Sequence, residues 1–200
     1  MACDGESPRL LAAGDPRLAP RSELEHALGL IRAFRAPDPE QAAFQRQILA
    51  FCAEHPDALW RTCLTGHLTA SALIVSHDGR RGLLCLHKKL GRWLQLGGHV
   101  DGDANLPAAA LREAVEESGI PDLCVDPRPI DLDAHRIPAR AEEPEHWHLD
   151  VRFRIVAPSE RALVLSEESL QLRWFERGQL ASVEADASVR RLFDRLALPG

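Results

Sequence analysis

The chain has 200 residues, 45% hydrophobic and 27% charged, the make-up of one ordinary globular domain with room for an extension. Its formal net charge is −6 and it has no long basic run, which argues against a dedicated nucleic-acid binder. No apolar stretch approaches the roughly 20 residues that span a bilayer, so no membrane role is expected.

Residues 1–20 hold three prolines and two glycines among mixed charges and are expected to be a flexible tail. They lack a basic start followed by an apolar core, so a cytoplasmic protein is expected. The five cysteines are odd in number and widely spaced, which fits reduced thiols rather than a disulfide framework. From 21 to 63 the pattern predicts a helical extension. Ser22 is a candidate N-cap, with Leu24, Leu28 and Ile31 at helical spacing. A second helix starts near Asp38 with Pro39 in its first turn, and Pro56 ends it.

The main domain is expected over 64–200. LTASALIVS reads as a strand, HDGRRG as a turn, GLLCLHKK as the return strand and RWLQLGG as a short third strand. A helix follows over 105–118, with Asn105 as N-cap and Gly119 as C-cap. Pro121, Pro127, Pro129 and Pro138 suggest loops around a short strand. HWHLDVRFRIVA and LQLRWFE are further strands, and ASVRRLFDRLAL is a closing amphipathic helix. The order implies an α+β chain, an α/β/α sandwich around a mixed β-sheet.

The stretch GGHVDGDANLPAAALREAVEESGI carries the chemistry. Glu113, Glu116 and Glu117 fall at i, i+3 and i+4, so three carboxylates share one helix face. They repel one another and lie in the last turns, where the helix dipole disfavours anions. A bound divalent cation reverses that cost, and Mg²⁺ takes carboxylates together with substrate phosphate. Gly97 and Gly98 permit a sharp turn from strand to loop, and Asp101 and Asp103 add oxygen donors.

The segment resembles the signature of the Nudix hydrolases, G-x5-E-x7-R-E-U-x-E-E-x-G-U, with U a bulky aliphatic residue. Gly98, Arg112-Glu113, Glu116-Glu117, Gly119 and Ile120 fall at the family spacing. Ala114 stands at the first U. Ala104 replaces the first glutamate, with Asp103 one residue earlier as a candidate stand-in. The resemblance implies hydrolysis of a small nucleotide-like diphosphate by water attack on phosphorus, with Mg²⁺ or Mn²⁺ on Glu113, Glu116, Glu117 and Asp103. It gives Arg112 the task of holding glutamates and loop. It leaves the base open between Glu116 and a late-loop acid, Glu168 or Glu167. Gly98, His99 and His148 are expected near substrate. A homodimer is implied by resemblance alone, and a non-catalytic binding module on the same fold is the alternative.

His146, His148 and Asp150 alternate along one strand and so share a face. Three roles fit them: a zinc site, the lining of the substrate cleft, or structural hydrogen bonding. Trp93, Trp147 and Trp174 lie in expected strands, where core packing outweighs base stacking.

Overall fold

The computed structural model describes residues 10–140, 143–159, 162–166 and 169–197. Its strands are β1 (Leu11–Ala12), β2 (Gly66–Val75), β3 (Arg81–His87), β4 (Trp93–Leu94), β5 (Leu96–His99), β6 (Cys124–Ile137), β7 (His146–Val156) and β8 (Ser169–Glu176). The helices are α1 (Leu24–Ala33), α2 (Pro39–Glu54), α3 (Leu106–Ser118) and α4 (Ala187–Asp194). The sheet runs β1-β6-β7-β2-β3-β4, with β5 also paired to β2 and β8 to β3. β2 and β7 are parallel and the other pairs antiparallel, so the sheet is mixed, as expected.

β2 is central. All ten of its residues are buried, which is why its sequence is a nearly unbroken run of small and branched side chains. Leu68, Ala70, Ala72 and Ile74 point to a core shared with α1, α2 and α3. Leu73 and Val75 point to a second core under α4, with Trp93, Phe175 and Phe193. By strand alternation His67, Thr69 and Ser71 lie on that second side, beyond the reach of α4's apolar residues.

Several expectations need correction. Residues 10–20 are a packed segment rather than a tail. Leu11 is 1% exposed and pairs with Val125, which gives β6 an edge partner. Ser22 does not cap α1: Glu23 holds the cap position without a side-chain bond, and the Ser22 hydroxyl donates to its carboxylate. Asp38 does cap α2, accepting from the Gln41 N–H. The single third strand is two, because the chain leaves β3 after Leu94 and rejoins the sheet against β2 at Leu96.

The proline-rich stretch is a 14-residue strand, β6, whose pairing with β7 shifts register on either side of Pro129. Proline has no N–H to donate, so it sits where the ladder is interrupted. Beyond the bulge, the Gln41 side-chain amide donates to the Leu132 carbonyl and accepts from its N–H. The amide thus satisfies strand groups that face away from β7.

Candidate active site and the imidazole cluster behind it

α3 begins with Pro107 in its first turn and ends at Gly119, whose φ of 71° makes the left-handed C-cap expected from the sequence. Asn105 is not its side-chain cap. Its amide instead donates to the carbonyls of Arg17 and Ala19, both at 2.9 Å. The N-terminal segment therefore anchors the start of the helix. It also explains Ala104, which is fully buried with its N–H on the Arg21 carbonyl. A glutamate there would bring a carboxylate into the apolar core. Asp103 accepts from the N–H groups of Arg21 and Asn105, at 3.0 and 2.9 Å. Its carboxylate braces the loop against the N-terminal segment.

Gly97 and Gly98 belong to β5 rather than to a turn, paired opposite Ser71 and Ala70. Close approach requires them. A Cβ on Gly98 would lie 2.4 Å from Glu113 Oε2, and one on Gly97 would meet the Ser71 backbone at 2.5 Å. Two of the three glutamates thus face β5: Glu113 against Gly98, and Glu117, which accepts the Gly97 N–H at 3.0 Å. Arg112 completes the link, donating to Glu113 at 2.8 Å and to the His99 carbonyl at 2.7 Å. Glu116 is exposed. Burial pushes the Glu113 carboxyl up from its ordinary value. Arg112 works against this, while the negative charges of Glu116 and Asp101 add to it. A carboxylate kept uncomfortable by burial and like charge is one that a cation would relieve. The three glutamates are not among the groups whose ligand atoms all lie within 4.8 Å of one another in the described residues. Glu167 and Glu168 lie outside the described residues.

The second face of the sheet carries histidines. His67, on β2, is the register partner of His148 on β7, which is in turn the partner of His135 on β6. His146 lies two residues back along β7, and His99 approaches from β5. The His67 ring centre is 4.9 Å from His99, 5.0 Å from His146 and 4.9 Å from His148. Burial drives His67 down to about 4 and His148 to about 2, with the neighbouring imidazoles adding to the shift. Both are neutral at ordinary pH.

Asp150 does not join the histidines. It accepts from Thr69, Ser71 and Arg152. The Arg152 side chain is 1% exposed and ion-paired with Asp131, Asp133 and Asp150 at 3.2, 2.7 and 2.7 Å. Arg191 of α4 caps the network on Asp131 at 2.8 Å. Sequence reading missed Arg152, Asp131, Asp133, His67 and His135. The one local signal was the alternation of Asp150 with Arg152 along an otherwise apolar strand. Trp93 packs edge-on against Phe175 in the second core, as expected of a core tryptophan.

An open mixed sheet flanked by helices, with a glycine strand facing a carboxylate-bearing helix, defines a Nudix-type α/β/α domain. The family model described as NUDIX domain matches residues 66–196, and the chain belongs to that family. Among solved structures, a NUDIX-family hydrolase from Clostridium perfringens aligns with TM-score 0.53 and 22% identity, over 65% of this chain and 95% of that one. The dihydroneopterin triphosphate pyrophosphohydrolase of E. coli aligns with TM-score 0.51 and 20% identity, over 64% and 92%. An Ap4A hydrolase from C. elegans gives TM-score 0.53 and 19% identity, over 65% and 94%. At these identities the likeness is one of fold. No curated protein matches the chain. No helix of the described residues is long and apolar enough to cross a membrane.

Proposed function

We propose that the protein is a metal-dependent pyrophosphohydrolase acting on a nucleoside-diphosphate-linked or related small diphosphate. The observation that carries this reading is the contact of Glu113 and Glu117 with Gly98 and Gly97, at the family spacing of the box. Glu113, Glu116 and Glu117 are the residues that would hold Mg²⁺ or Mn²⁺. The bound ion would supply neutralisation of phosphate oxygens and a lowered pKa for attacking water. Arg112 fixes the Glu113 carboxylate and the end of β5 together, which keeps donor geometry constant through the reaction. The glycines let the Glu113 carboxylate and the β2 backbone approach β5, where a side chain would push them away. Asp103 holds the loop in register. The proton released when water attacks phosphorus goes to a carboxylate: Glu116, exposed at the open side of α3, or Glu168 of the late loop.

The test is a panel of NDP-sugars, ADP-ribose, dNTPs and dinucleoside polyphosphates with Mg²⁺ or Mn²⁺, reading phosphate after phosphatase treatment. Turnover with at least one substrate that is lost in Glu117→Gln supports the proposal. Saturable calorimetric binding with no turnover across the panel supports the alternative, a binding module. That alternative is favoured by one observation: the three carboxylates are not gathered within 4.8 Å.

A further inference from the structure

We propose that His67, His146 and His148 form a binding site for a zinc-class divalent metal ion, separate from the α3 carboxylates. The inference does not depend on the hydrolase reading, because it uses the opposite face of the sheet. The ligand atoms of these three residues all lie within 4.8 Å of one another. Their ring centres form a nearly equilateral triangle, with sides of 5.0, 4.9 and 5.1 Å. A tetrahedral zinc ion with Zn–N of about 2.0–2.1 Å sets three ligating ring centres roughly 5.2 Å apart, taking about 1.1 Å from nitrogen to ring centre. The backbone therefore already spaces the rings for one shared ion, and turning them inward is the remaining adjustment.

Two further observations point to a ligand. His67 is 4% exposed, and among the described residues neither of its ring nitrogens makes a well-formed hydrogen bond. The Cys63 backbone lies near enough to favour its protonated form, against the larger effect of burial. A buried imidazole with two unmet nitrogens carries a desolvation cost that stacking does not return. His146 supplies the complementary feature. Its Nδ1 lies 2.9 Å from the Pro144 carbonyl, an oxygen that can only accept, so Nδ1 carries the proton and Nε2 is left with its lone pair free. Metal-binding histidines are commonly fixed in this way, by donating the second ring N–H to a carbonyl. The ligand atoms of a second trio, His55, Asp57 and Cys63, also lie within 4.8 Å of one another. It lacks this character, because the Thr65 hydroxyl lies within hydrogen-bonding distance of both His55 and Cys63.

Imidazole donors suit zinc, nickel, cobalt and copper over magnesium. Three protein ligands leave a fourth tetrahedral position for water or an anion, the pattern of a site that meets a ligand from solution. The ion would join β2 to β7 beside the end of β5.

The full chain, stripped with a chelator and dialysed, is titrated with Zn²⁺ against a chromophoric chelator, and separately with Co²⁺ while the visible spectrum is read. The expected result is one tight ion per chain, intense four-coordinate Co²⁺ bands and a higher melting temperature with Zn²⁺. His67→Gln or His146→Gln should weaken Zn²⁺ binding beyond the roughly 10–100-fold typical of losing an outer partner. Glu113→Gln and Glu117→Gln should leave it unchanged. Should His67→Gln fail to fold, His148→Ala at the less buried ring and the wild-type Co²⁺ spectrum decide the matter. Absence of a stoichiometric ion, weak octahedral Co²⁺ bands, or binding that survives the histidine variants and disappears with Glu117→Gln would each overturn the proposal.

Discussion

The two sides of β5 present two sets of donors that differ in chemistry and in support. On the α3 side stand carboxylates, partly open to solvent and already held by Arg112 and the Gly97 N–H. On the other side stand imidazoles, of which His67 and His148 are held neutral by burial, with neither His67 ring nitrogen in a well-formed hydrogen bond among the described residues. The first set can persist without an ion at modest cost, and it favours hard cations that bring phosphate with them. The second gains most from an ion it can coordinate directly. On β7, four residues beyond His148, Arg152 gives the opposite case: a buried cation ion-paired with three aspartates. Burial of polar side chains thus marks structure where partners are complete, and a binding site where they are missing.

The largest expected effect breaks this contrast at Arg152. Arg152→Ala removes the cation shared by three buried aspartates, and should cost about 3–5 kcal/mol in urea unfolding. His148→Ala in metal-free protein should cost far less. Next comes the carboxylate side, where Glu117→Gln should lower kcat by about 10²–10³, a loss comparable to removing a key electrostatic group from other active sites, while leaving the melting temperature within a few degrees. Gly98→Ala sharpens the comparison from within β5. Its methyl displaces the Glu113 carboxylate and should slow hydrolysis by roughly tenfold, about 1.4 kcal/mol, with Zn²⁺ affinity unchanged. The smallest effect is expected from Asp103→Ala, which removes two backbone hydrogen bonds and should cost about 1 kcal/mol of stability with a lower rate. An unchanged rate would remove Asp103 from the site's support.

What could be read from the sequence was local. The spacing of Arg112, Glu113, Glu116, Glu117 and Gly119 lies within two helical turns and a cap, so the helix, its acidic face and the family resemblance were all visible. β2, β7 and α4 were legible because their apolar periods are strong. β6 was not, because its prolines resemble loop signals until β7 and Gln41 supply the missing pairing. The role of residues 10–20 was hidden in the same way: Leu11 and the carbonyls of Arg17, Ala19 and Arg21 have meaning only against β6 and the start of α3. The histidine cluster is the clearest case. Only His146 and His148 are near in sequence, and His67 and His135 join them through strand register, which no local pattern specifies. The charged network around Arg152 likewise draws on β6, β7 and α4.

The carboxylate site is tested most directly by Mn²⁺ titration followed by electron paramagnetic resonance, in wild type and in Glu113→Gln/Glu117→Gln, with a non-hydrolysable nucleoside diphosphate analogue present. Bound Mn²⁺ that broadens with the analogue in wild type, and is lost in the double variant, is the predicted result. Equal Mn²⁺ binding in both proteins, or none in either, would contradict the assignment of α3 as the catalytic metal helix.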